Sequence, residues 1–182
     1  MNFRRAFEIA FVGLKPGIHS FEFEVDDKFF ANFGNHDFES CAAKIQLTLD
    51  KKNNFMLLSF DIDGWVQTGC DRCGNPLRLQ LWEEYKMMIK LVDNPDELNH
   101  QEEDPDVYYI SKGESHLHLA DWIHEFVTLS IPMQKRCAEK DMGGPQCNNE
   151  VLMKLANMEN EASKEHNNPL MQQLKKFKKT DS

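Results

Sequence analysis

The chain of 182 residues has no run of about 18 consecutive apolar residues, so no segment reads as a membrane-spanning helix. Its mean hydropathy of −0.59 points the same way. An excess of positive charge is also missing, because 21 Lys and Arg stand against 30 Asp and Glu for a net charge of −9, which argues against broad coating of nucleic acid. No export signal is expected: Arg4 and Arg5 imitate a basic start, but Glu8 and Lys15-Pro16-Gly17 cut the apolar stretch that follows. A cytoplasmic protein without membrane contact is the expectation. Catalytic strings are absent too. No P-loop, G-x-G-x-x-G, H-E-x-x-H or Ser-His-Asp order occurs, so the chain is read as no enzyme, with no small-molecule substrate. Cysteine is sparse and odd in number at 5, which disfavours a disulfide framework and leaves metal binding, redox chemistry or plain reduced thiols.

What is present suffices for one folded unit, with 41% apolar and 10% aromatic residues. Charge is unevenly spread. Asp93, Asp96, Glu97, Glu102, Glu103, Asp104 and Asp106 share a stretch with Pro95 and Pro105 and no Lys or Arg. A segment so poor in apolar surface reads as a mobile acidic loop over 93–106. At the far end Lys175, Lys176, Lys178 and Lys179 form a basic arm of the kind that contacts phosphates, and they are the candidate RNA-binding residues.

Alternation of apolar and polar residues predicts a meander of strands. Phe7 to Val12 reads as a first strand, and Phe21, Phe23 and Val25 alternate with Glu22 and Glu24 in a second. Asp26 or Asp27 can cap a short helix holding Phe29, Phe30 and Phe33, ending near Gly34. Ala43, Ile45, Leu47 and Leu49 then share one face, Phe55 to Val66 returns, and Leu77, Leu79 and Leu81 begin a further strand that Tyr85, Met87, Ile89 and Leu91 continue. A short strand at Val107 to Ile110 precedes a helix from about Leu119 to Ile131, stopped by Pro132. Helix resumes from Glu150, breaks at polar residues after Met158, and restarts at Pro169 with Asn168 as cap. The fold class is α+β: an antiparallel β-meander, a partly closed sheet, with a C-x-x-C hairpin knuckle, packed by a central helix and followed by C-terminal helices. The expected organisation is one domain over 1–158 and a polar linker with the basic helical arm over 159–182.

Cys70-Asp71-Arg72-Cys73-Gly74-Asn75-Pro76 is the most informative string. Two thiolates three positions apart in a tight turn supply half of a tetrahedral site, with Zn–S bonds of about 2.3 Å and sulfurs about 3.7 Å apart. Cys137 and Cys147 are the candidates for the other half, and zinc in a structural role is the favoured ion. A redox dithiol ranks last, because the pair lies between strands rather than opening a helix. Plain reduced cysteines stay open as a reading. Cys41, at the head of a strand, reads as a small buried residue. His116, His118 and His124 surround the central helix without a catalytic partner pattern and read as structural.

The C-x-R-C-G string between strands, the helix end Leu129-Ser130-Ile131-Pro132, the nearby Cys137, and the closing Asn168-Pro169-Leu170 with Leu174-Lys175-Lys176 together resemble the YceD family of large ribosomal RNA subunit accumulation proteins. The resemblance spans roughly residues 40 to 179. It implies a non-enzymatic factor for large-subunit ribosomal RNA accumulation and ribosome assembly, binding ribosomal RNA or a large-subunit ribosomal protein. Extra cysteines after the Leu-x-Ile-Pro helix end are a habit of several members, and Cys137 and Cys147 match it. The alternative is a structural zinc-binding module for protein interaction without a ribosomal role.

Overall fold

The computed structural model describes residues 3–100, 104, 106–137 and 147–166. Its elements are β1 (Glu8–Ile9), β2 (Gly17–Asp26), α1 (Asp27–Phe30), β3 (Ser40–Lys51), β4 (Phe55–Gly69), β5 (Pro76–Val92), α2 (Pro95–Asn99), β6 (Val107–Ser111), β7 (Leu117–His118), α3 (Ala120–Leu129) and α4 (Asn149–His166). The architecture is α+β. Five strands make one sheet in the order β2-β3-β4-β5-β6, and β1 with β7 makes a separate antiparallel pair.

The alternation seen in the sequence becomes the two faces of this sheet. Ile45, Leu47 and Leu49 of β3, Met56, Leu58 and Phe60 of β4, and Leu77, Leu79 and Leu81 of β5 are buried on one face. Burying each such side chain contributes about 1.5–3 kcal/mol of transfer free energy. The opposite face carries Lys44, Asp61, Asp63, Arg78, Gln80 and Trp82. α3 covers the apolar face with Ile123 and Val127, and its Phe126 stacks on Tyr85 with ring centroids 4.7 Å apart and meets Phe60 edge-on at 5.1 Å. The helix stops where the sequence says, because Pro132 cannot continue it and the Ser130 hydroxyl turns back to donate to the Phe126 carbonyl at 2.8 Å.

Asp26 caps α1 as its position requires, its carboxylate accepting from the Lys28 and Phe29 amides at 3.0 and 3.2 Å. The cap aims Phe29 and Phe30 into an aromatic cluster with Phe3, Phe7, Phe33 and Phe38 that closes one end of the core.

Several expectations need correction. The sheet is not closed: β2 and β6 are its two edges. It is not wholly antiparallel either, since β6 runs parallel to β5, with Met88↔Val107 through Val92↔Ser111 in register. A parallel pair needs a crossover, and the acidic stretch after β5 supplies it. Part of that stretch is the one-turn helix α2, where the Asn99 side chain holds β6 by accepting from the Tyr109 amide and donating to its carbonyl, both at 2.9 Å. The first strand shrinks to the two residues of β1 between 3-10 turns at Phe3–Phe7 and Phe11–Gly13. Only Glu8 and Ile9 pair, with His118 and Leu117 of β7, and Phe7, Ile9 and Phe11 are buried in the core. α4 continues past Met158 to His166, so the polar residues there do not break the helix. The helix expected from Pro169 lies outside the described residues.

Gly64 of β4 lies opposite Ala43 of β3, with no room for a side chain. A Cβ there would stand 2.5 Å from both the Ala42 carbonyl oxygen and the Ala43 Cα, which are backbone atoms and cannot rotate away. Gly64→Ala is expected to destabilise the protein by about 1–3 kcal/mol. Gly69→Ala, where nothing lies within 4 Å, should stay within about 0.5 kcal/mol of the parent. Urea unfolding of both variants checks this, and equal midpoints would refute the close approach.

Candidate metal centre

Residues 70–75 join β4 to β5 beyond the last register pair, Gly69↔Pro76. The Cys70 amide donates to the Asn75 carbonyl and the Gly74 amide to the Cys70 carbonyl, each at 2.8 Å. Gly74 has φ of 72°, in the left-handed region that favours glycine, so the residue after the second cysteine is dictated by the turn. This short loop holds both Cys70 and Cys73 at one end of the sheet.

Asp71, between the two cysteines, brings up the third. Its amide donates to the Lys135 carbonyl at 2.8 Å, and its carboxylate accepts from the Lys135 amide at 2.7 Å. The reciprocal pair fixes the chain two residues before Cys137. Lys135 is only 8% exposed, and its ammonium bonds the Asp37 carboxylate at 2.6 Å, so its buried charge is paired. Cys147 arrives from the other side of the sequence, just ahead of α4, where the Asn148 side chain accepts from the Glu150 amide at 2.9 Å in a capping arrangement.

The four sulfurs meet. Cys70 and Cys147 Sγ lie 3.9 Å apart, Cys73 and Cys137 Sγ lie 3.7 Å apart, and all four fall within 4.8 Å of one another. A tetrahedral ion with metal–sulfur bonds of about 2.3 Å needs sulfurs about 3.7 Å apart, so the set fits such an ion. Cys70 and Cys137 are buried while Cys73 and Cys147 are half-buried. Four cysteines this close can hold a metal ion, and an all-sulfur set suits soft or borderline ions rather than magnesium or calcium.

The electrostatics distinguish the cysteines. Burial opposes ionisation of Cys70, but hydrogen bonds from the Arg72 and Cys73 amides and from the Cys137 thiol outweigh it and bring its pKa down to about 6. Burial raises the Cys137 thiol, and its hydrogen bonds to Cys70 and Cys73 raise it further. Cys147 is raised as well, first by burial and then by donating toward Cys73 and Cys70. Hydrogen bonding within the cluster thus favours negative charge on Cys70. Cys41 stands apart, pushed up to about 12 by burial and by Asp27 and Asp26, and is an inert small side chain of the core.

The histidines play other parts. His118 lies on β7 with its Nδ1 3.3 Å from the Glu8 carboxylate, and His116 Nδ1 bonds the Ser115 hydroxyl at 2.8 Å. His124 stacks on Phe33, with centroids 4.2 Å apart and planes 11° from parallel. Sequence reasoning missed Asp71 and Lys135 as the pair that joins the two halves of the cluster. Their signal was faint: an acid inside one cysteine pair and a base two residues before the next cysteine. Lys175, Lys176, Lys178 and Lys179 lie outside the described residues.

The family description "Large ribosomal RNA subunit accumulation protein YceD" matches residues 58–178. The chain belongs to the YceD family. The matched stretch takes in most of β4, all of β5 and the helices that follow, and it contains all four clustered cysteines. β2 and β3, which complete the sheet of this YceD protein, precede it. No curated protein and no solved structure matches the chain.

Burial lowers the pKa of His124, and His36 lowers it further, outweighing the nearby Asp121 and Glu125. The folded state therefore resists protonation that the unfolded chain accepts near pH 6.5. Stability is kept above that value and falls as pH drops through it toward the depressed folded pKa. His124→Phe preserves the stack on Phe33 and should lose less melting temperature than the parent between pH 7 and pH 5. Identical pH profiles for the two proteins would refute the assignment.

Proposed function

We propose that this YceD protein is a non-enzymatic factor for large-subunit ribosomal RNA accumulation and ribosome assembly. It acts in the cytoplasm by binding ribosomal RNA or a large-subunit ribosomal protein. The family match over residues 58–178 carries the reading. The described residues support it by what they build: an open five-stranded sheet with four cysteines gathered at one end. The lysines at 175, 176, 178 and 179 would supply phosphate contacts if RNA is the partner. Deleting the gene in its own host should lower mature large-subunit RNA relative to small-subunit RNA, read by RNA quantification and gradient profiles. Unchanged ratios would remove the ribosomal role.

Within that role the four cysteines form a structural zinc site, with Cys70 and Cys73 as a knuckle between β4 and β5 and Cys137 and Cys147 closing the tetrahedron. A metal there ties three distant parts of the chain together, so its binding energy is folding energy. Elemental analysis should find about one zinc per chain. Cys70→Ser and Cys137→Ser should lose the metal and lower the melting temperature by about 10 °C or more. Metal-free protein with the melting temperature of these variants unchanged would show that the thiols serve packing alone.

A further inference from the structure

The outer face of the five-stranded sheet is polar along most of its length and turns apolar at one end. There the register aligns Ile18 of β2 with Asp50 of β3, Asp50 with Leu57 of β4, Leu57 with Met88 of β5, and Met88 with Val107 of β6. One row thus crosses all five strands with four apolar side chains and a single acid. Ile18 is 71% exposed and Leu57 39% exposed, although both are large and apolar. The row floors a groove of about 520 Å³, bounded by Asp104 and Asp106 where the chain enters β6.

Charge says what the groove accepts. Asp50, Asp104 and Asp106 line it, and its one lysine, Lys86, is held by Glu84 at 2.8 Å. Asp50 receives Lys52 on one oxygen at 2.7 Å, while its other oxygen is buried with no hydrogen-bond partner among the described residues. A buried acceptor without a donor is uncommon in a finished structure. RNA would bring its phosphates against these carboxylates, and a second copy would bring the same acids and a net charge of −9.

We propose that this groove docks a cationic amphipathic segment of a partner protein. Its apolar side chains lie on Ile18, Leu57, Met88 and Val107, and its lysines or arginines meet Asp50, Asp104 and Asp106. The proposal deepens the assembly role above and rests on it for the partner's being a basic component of the large subunit. It selects protein over RNA for this face of the sheet. Apolar contact supplies the affinity, and the acids steer and orient a basic chain, so binding weakens as salt rises.

The full chain is tested with a fluorescent synthetic helix of leucine and lysine, beside an all-lysine peptide of equal charge and a single-stranded RNA. The leucine-lysine helix should bind most tightly. Ile18→Ser with Leu57→Ser should weaken it about tenfold. Asp104→Asn with Asp106→Asn should weaken it several-fold and flatten its salt dependence; both acids are exposed, so this pair keeps the test open if the first alters folding. Equal affinity for parent and variants overturns the proposal, as does equal binding of the all-lysine peptide. RNA binding that these substitutions weaken overturns it in favour of nucleic acid, and self-association that they abolish overturns it in favour of a second copy. Peptide binding is measured on purified protein, so it succeeds or fails independently of the ribosomal RNA levels in a deletion strain.

Discussion

The register of β4 against β5, from Phe55↔Lys90 to Gly69↔Pro76, decides where almost every other part of the molecule goes. On one face it presents Leu58, Phe60, Leu79 and Leu81 to α3 and the aromatic cluster. On the other it aligns Leu57 with Met88 in the exposed apolar row. At its end it delivers Cys70 and Cys73 as neighbours. A slip of one residue would exchange the two faces and move the cysteines apart, so burial of the apolar face also holds the thiols in place.

The cysteine cluster sits where three separate stretches converge, and side-chain and main-chain bonds join two of them. Asp71 and Lys135 bind each other through main chain and side chain, and Lys135 extends the link to Asp37 in the loop before β3. The loop between β4 and β5, the segment that follows α3 and the loop after α1 are thereby tied into one unit. Against burial, hydrogen bonds from the Arg72 and Cys73 amides and from Cys137 lower Cys70, while burial, and then hydrogen bonding within the cluster, raises Cys137 and Cys147.

The sheet has one face packed and one face open, and the open face spans five strands without a covering helix among the described residues. Its polar part mixes charges, with Lys44 between Glu22 and Glu24 and Arg78 over Trp65 at 4.0 Å. The apolar end near Leu57 differs because nothing in the described chain covers it.

The sequence by itself determined the strands from Phe21 to Leu91, a cap at Asp26 or Asp27, the central helix with its stop at Pro132, and the close spacing of Cys70 and Cys73. Each is written in local periodicity, capping or spacing, which depend on neighbours along the chain. Tertiary structure alone decided that β6 runs parallel to β5, that the sheet stays open, and that the Phe7 to Val12 stretch is held by packing with only two residues in a strand. Pairing direction and edges are relations between distant segments, and no local pattern records them. The same holds for the cluster: spacing identified Cys70 with Cys73, but only the fold brings Cys137 and Cys147 within 4.8 Å of them, and the Asp71–Lys135 pair that holds the Cys137 segment acts across the chain rather than along it.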